Sequence, residues 1–220
     1  MLQRGITGEM EVEIRNLCKR EEVPYRISPK QELDKWTRTR HQGVVAIMSP
    51  VRFYTPSDIV NKTFSEGRVP LILALDGVED VRNFGAIARS AEVLGVDGIM
   101  FPAKGTAMIN DFAIKSSAGA LLNIPLIRVR SLENALRELK ANGLRIYGTE
   151  MQVAKSIDQA PLADPVCIIL GSEGEGMRPH IKRLLDDCFS IEQVGQTESL
   201  NVSVAAGIIL YQTLLQRKEK

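Results

Sequence analysis

Two histidines and three cysteines are all that 220 residues offer in metal-binding or thiol chemistry. His41 and His180 lie outside the three polar motifs described below, and no HxH or HExxH occurs. A histidine general base and a bound metal are both disfavoured on that ground. Cys18, Cys167 and Cys188 are odd in number, scattered and never paired as CxxC. They read as the reduced thiols of a cytoplasmic protein, with neither a disulfide framework nor a structural zinc. No apolar run approaches the roughly 18–20 residues that span a bilayer. The opening MLQRGITGEMEVEIR is too charged for the apolar core of a signal peptide. Absent too are a P-loop and a GxGxxG following a strand, which argues against nucleoside triphosphates and dinucleotides, and so against an oxidoreductase. Internal repeats and low-complexity stretches are missing.

What remains is globular: 44% hydrophobic and 25% charged residues, too apolar for disorder. The net charge of +1 conceals an asymmetry. Residues 1–68 carry 12 Lys/Arg against 9 Asp/Glu, and residues 69–220 carry 16 against 18. The excess is too small to identify a polyanion binder, but it marks the first part as the one that would touch a polyanion, if either does.

Three regions follow from the pattern. Residues 1–48 read as a small αβαβ piece, with helices over 9–20 and 29–40 and strands over 23–28 and 43–48. Such a piece is too small to bury much on its own, and it looks like part of a domain. Residues 49–69, with Pro50, Pro56, Gly67 and Pro70 in or beside them, read as a turn-rich linker. Residues 70–220 alternate strands (71–75, 98–101, 125–129, 145–148, 166–170, 188–191) with helices (84–94, 111–118, 132–141, 179–185, 200–216). Continuous apolar strands such as LILAL and VCIIL imply a parallel sheet covered on both faces, an α/β fold.

Polar residues cluster just past three of these elements, where open α/β sheets bind ligands. After the strand at 71–75 come Asp76, Glu79, Asp80, Arg82 and Asn83, then a helix carrying Arg89 among Gly85, Ala86, Ala88, Ser90 and Ala91. Asn83 sits where a cap belongs. Arg89 offers a planar fork suited to phosphate across a surface without bulk; taken alone, it reads more readily as a solvated helix residue. The strand at 166–170 runs into GSEGEG. Its carboxylates Glu173 and Glu175 would repel a phosphate, so close backbone approach to a neutral or cationic ligand fits better. Last, the loop QVGQTE leads into SLNVS and a helix whose apolar face comprises Val202, Ala205, Ala206, Ile209, Leu210, Thr213 and Leu214. Ser199 and Asn201 are placed to cap it.

These motifs are NFGAIARSA at 83–91, GSEGEG at 171–176 and SLNVSVA at 199–205. In this order and at these separations they resemble the three motifs of the SpoU/TrmH family of the SPOUT methyltransferase superfamily. HQGVVA at 41–46 and KSSAGA at 115–120 are lesser marks of the same family, and the likeness covers residues 41–217. It implies a SPOUT-type parallel sheet with a C-terminal trefoil knot. It also implies an apparently incomplete N-terminal piece resembling ribosomal protein L30e or L7Ae, which would bind the RNA substrate. The implied activity is transfer of a methyl group from S-adenosylmethionine to a ribose 2′-OH of RNA by a homodimer. HQGVVA points to ribosomal RNA, with transfer RNA, or RNA binding without turnover in ribosome assembly, as alternatives. The resemblance assigns catalysis to Asn83, Arg89, Glu173, Ser199 and Asn201. It assigns the cofactor to Thr149, Leu170, Gly171, Gly176, Ile191, Val194, Gly195 and Leu200. Glu192-Gln193 departs from the family's Pro followed by a hydrophobic residue, a difference expected to alter cofactor affinity.

Overall fold

The computed structural model describes all residues except 22, 38–39, 48–50, 151–152, 173, 197–198 and 220. The chain divides into two compact units, Met1–Ser49 and Pro50–Lys220.

In the first unit, β1 (Leu2–Gln3) pairs in parallel with β2 (Ile27–Ser28), and α1 spans Glu9–Arg20. Helix α1 matches expectation but buries none of its residues. Three expectations fail. The strand at 23–28 shrinks to the two residues of β2. The helix at 29–40 shrinks to α2 (Lys30–Leu33), which buries Leu33 alone. Short helices owe their stability to a packed apolar face, and one buried leucine holds one turn. The buried strand at 43–48 is absent among its described residues. Gly43 adopts φ 84°, Val44 makes a single bridge to Leu2, and Ile47 is 67% exposed. A β-branched run needs a partner strand, and here only two residues offer one.

In the second unit, α3 (Pro56–Ser65) corrects the linker expected at 49–69. Thr55 caps it in a reciprocal box with Asp58, and Pro56 occupies the first turn, where its missing N–H costs nothing. There follow β3 (Leu71–Asp76), α4 (Val81–Val93), β4 (Gly98–Pro102), α5 (Asp111–Ser116), a 3-10 turn at Ala120–Leu122 and β5 (Leu126–Val129). Next come α6 (Leu132–Ala141), β6 (Arg145–Thr149), a 3-10 turn at Ile157–Gln159, β7 (Val166–Gly171), α7 (Pro179–Lys182), β8 (Asp187–Phe189) and α8 (Val202–Lys218). The expected elements are all found, though α7 is shorter than 179–185 and β8 starts and stops earlier than 188–191.

The six strands form one sheet, ordered β5-β4-β3-β7-β6-β8, and every pairing is parallel. Alternation divides its apolar residues between two cores. Leu71, Leu73, Leu75, Ile168 and Leu170 face α4, α5 and α8; Ile72, Ala74, Cys167 and Ile169 face α3, α6 and α7. Both faces are covered, which is why the strands read as unbroken apolar runs. On α8, Val202, Ala206, Ile209, Leu210 and Thr213 are buried, and the expected face is the one that packs. The neighbouring strands β3 and β7 end side by side, with Asp76 paired to Gly171, before their connections diverge. That is the crevice where ligands of open α/β sheets sit.

Candidate functional site

A cavity of about 220 Å³ opens at the carboxyl ends of β6, β7 and β8, closed on one side by the start of α8. Thr149, Leu170, Gly171, Gly176, Ile191, Ser199 and Leu200, all named from sequence, line it. So do Glu150, Ser172, Gly174, Phe189, Gln193, Val202, Ala205 and Ile209. Val194 and Gly195 are not among the lining residues, and Val194 is 97% exposed. Glu173 lies outside the described residues.

Each wall has a local cause. Beyond β7 the chain reverses at once, with Ser172 and Gly176 exchanging two backbone hydrogen bonds of 3.1 Å. An added Cβ on Gly171 would fall inside the backbone of Gly176 and Met177. The close approach expected of this glycine is thus made to its own loop. Asn201 caps α8 as expected, its Oδ1 accepting from Ser203 N–H at 2.9 Å and more weakly from Val204 N–H at 3.4 Å.

Asn83 and Arg89 sit on α4. Asn83 is not the cap of that helix: Asp80 is, accepting from Arg82 N–H at 2.9 Å and Asn83 N–H at 2.8 Å. Asn83 has another partner, its Oδ1 accepting from Asn201 Nδ2 at 3.0 Å across 118 residues. Motifs one and three are therefore joined side chain to side chain. Neither residue lines the cavity. Arg89 is exposed. The small residues around it are not a bare surface: Gly85, Ala88 and Ala91 are buried, and an added Cβ at Gly85 would strike Ser116 of α5. Smallness there lets helices pack closely.

Electrostatics separate the cavity from a phosphate site. Among its described lining residues there is no Lys or Arg, and the one carboxylate among them, Glu150, pairs with Lys182 at 2.6 Å. Nearby, burial pushes the Cys188 thiol up, with Glu150 and Asp187 adding to it. The described residues hold no cluster of three or more metal-ligating side chains. Among the described residues, no helix is long and apolar enough to cross a membrane.

A sequence model of the SpoU rRNA methylase family matches residues 70–211, and the three motifs that meet here all fall within that span. The chain belongs to the SpoU methylase family. A second model, described as RNA 2′-O ribose methyltransferase substrate binding, matches residues 2–54. A putative TrmH family tRNA/rRNA methyltransferase of Staphylococcus saprophyticus is 34% identical over 205 residues, 93% of this chain and 82% of its own. An uncharacterized tRNA/rRNA methyltransferase of Synechocystis is 38% identical over 177 residues, 80% of this chain but 46% of that protein. This chain therefore spans under half of the cyanobacterial relative. Among solved structures, the SpoU methyltransferase AviRb from Streptomyces viridochromogenes in complex with AdoMet superposes with a TM-score of 0.63. It is 27% identical, over 68% of this chain and 58% of its own. The SpoU family is one of RNA methyltransferases, as the resemblance implied.

Glu150, Ser172, Gly174, Phe189 and Gln193 were missed from sequence. Glu150 and Phe189 end strands whose partners are remote in the chain, and only the topology brings them together. The Asn83–Asn201 bond left no signal beyond two asparagines at helix starts.

Proposed function

We propose that this protein transfers a methyl group from S-adenosylmethionine to a ribose 2′-OH of RNA, with ribosomal RNA as the preferred substrate. The observation that carries the reading is the cavity together with the bond that ties the start of α8 to the helix bearing Arg89. The α8 cap, Asn201, holds Asn83, and Arg89 lies on the same helix as Asn83.

The lining suits the cofactor. Leu170, Ile191, Leu200, Val202 and Ile209 provide apolar walls, while Gly171, Gly174 and Gly176 leave backbone groups accessible. With no cation in the wall, an uncharged adenine nucleoside bearing a cationic sulfonium is favoured over a phosphate ester. When bound, the cofactor supplies an electrophilic methyl group. Everything else falls to the chain. Arg89 binds the phosphate beside the target ribose and stabilises negative charge on the 2′-oxygen as its proton passes to phosphate or water. A guanidinium keeps its proton in proteins, so Arg89 acts as an electrostatic partner and not as the base. Asn83, Glu173, Ser199 and Asn201 orient the ribose and the methyl donor.

Three further parts belong to this reading. Val204, Ile208 and Tyr211 form an exposed apolar strip on α8, which supports a homodimer built on that helix. The chain leaves the edge strand β8 and returns through α8 to pack on β7 and α4, which supports a C-terminal trefoil knot. The substrate-binding match at 2–54 supports RNA contact by the first unit, which we read as an L30e/L7Ae-like piece of a cytoplasmic enzyme. The paired tRNA/rRNA naming of its relatives keeps transfer RNA as the second reading.

Mass mapping of ribose methylation in RNA from cells lacking the protein tests all of this. Loss of one 2′-O-methyl group in ribosomal RNA is expected. Loss in transfer RNA selects the second reading, and an unchanged methylation map overturns both.

A further inference from the structure

Asp76 is not among the cavity's lining residues, yet its side chain is fully buried. As the last residue of β3, it stands opposite Gly171, the residue at which β7 gives way to the cavity loop. Its Oδ1 accepts from Arg178 Nε at 2.7 Å and lies 2.5 Å from Arg178 Nη2. Its Oδ2 accepts from the Arg178 backbone N–H at 2.9 Å. One carboxylate thus grips both the guanidinium fork and the main chain of a residue 102 positions away. Such bidentate, charge-assisted contacts fix direction as well as distance.

The consequence lies in what is between. The chain departs from the sheet at Gly171 beside Asp76, reverses through the Ser172–Gly176 hydrogen bonds, buries Met177, and returns to Asp76 at Arg178. Both ends of the loop are anchored at one point, and the loop supplies Gly171, Ser172, Gly174 and Gly176 to the cavity wall. We propose that Asp76 and Arg178 are positioning residues that hold this loop in the shape that accepts the methyl donor. The proposal rests on the cofactor reading above. Preorganisation by groups behind the contacting residues is the physical basis, since a loop free to swing must be ordered at each binding event.

The test compares Asp76→Asn with Arg217→Ala in the full chain. Arg217 serves as control because it bonds four carbonyls at the opposite end of the sheet. Three quantities are read: melting temperature, S-adenosylhomocysteine affinity by calorimetry, and hydrogen exchange at the Ser172 and Gly176 amides without ligand. In Asp76→Asn, exchange should accelerate at both amides and affinity should fall about 10–100-fold, as when supporting groups are lost. Arg217→Ala should melt at a lower temperature yet bind within about twofold of the parent, having displaced nothing near the loop. Arg178→Lys, which keeps the charge without the fork, should fall between, and it stands in if Asp76→Asn does not fold. Unchanged exchange and affinity in the Asp76 and Arg178 variants, or losses that merely track melting temperature in all of them, would overturn the proposal. A parent chain that binds no S-adenosylhomocysteine would instead sink the cofactor reading, with amide exchange still deciding whether the latch orders the loop.

Discussion

At the amino-terminal end of the sheet, Arg217 donates to the carbonyls of Val69, Pro70, Leu162 and Asp164, with its longest bond at 3.3 Å. Burial lowers its readiness to hold charge, and Asp97 works against that. Beside it, Arg68 bonds Glu66 and Asp97, and Asp97 accepts from Leu71 N–H at 2.8 Å. On α4, by contrast, Arg89 is exposed, and the wall of the cavity at the carboxyl end is mostly backbone and apolar side chain. The same residue type, arginine on a helix, is consumed by structure on α8 and exposed to solvent on α4. Polar groups that satisfy each other stabilise the fold; polar groups held rigidly but left open are what chemistry can use.

The sharpest test of that contrast is Arg89→Ala. Its expected cost is about 3–4 kcal/mol in the transition state, or 10²–10³ in single-turnover methyl transfer, with S-adenosylhomocysteine affinity nearly unchanged. Arg89→Lys should rescue little, because an ammonium lacks the fork. Full activity in Arg89→Ala would break the comparison. Arg217→Ala should do the reverse. Stranding buried carbonyls costs about 2–3 kcal/mol of stability, read in urea unfolding, while single-turnover rate stays within about twofold. A cavity-end variant should then lose both properties. In Gly171→Ala the new methyl collides with Gly176 and Met177, costing about 1–3 kcal/mol of stability and much of the cofactor affinity.

The smallest effect concerns acid. Partial burial works against the charge on Asp186, but Lys140 and the Ile146 N–H outweigh it and hold the carboxyl below its usual range. A depressed folded value means stability that is present above about pH 3.8, the ordinary carboxylate value, and lost as pH falls through the folded one. Asp186→Asn should therefore flatten the fall in melting temperature below about pH 4 and leave the neutral-pH rate alone. An equally steep fall would assign the acid response elsewhere.

Legibility divided along similar lines. Strands β3 to β8 and helix α8 were readable because a covered parallel sheet writes itself as unbroken apolar runs, and a packed helix as a periodic face. In the first unit α1 was read with its correct bounds, but the strands and the second helix were not, since the strands are two residues long and α2 buries a single leucine. Helix α3 hid behind Pro56, which reads as a breaker until Thr55 and Asp58 are recognised as a capping box. At the site, Gly171, Gly176 and the end of β7 at Leu170 were legible from the motifs. Glu150 and Phe189 were not, because nothing local marks where two strand ends will converge.

By itself, then, the sequence determined the α/β class, the order of strands and helices from β3 to α8, and three motifs that carry the family resemblance. These are local or periodic properties, encoded by residues near one another in the chain. The tertiary structure decided that Asp80 and not Asn83 caps α4, that Asn83 meets Asn201, and that Asp76 closes on Arg178. The first is a local matter of where the helix begins; the other two depend on how strands and helices remote in the chain are placed together. Placing β7 between β3 and β6 brings residues more than a hundred positions apart within hydrogen-bonding distance, and no pattern along the chain records that adjacency.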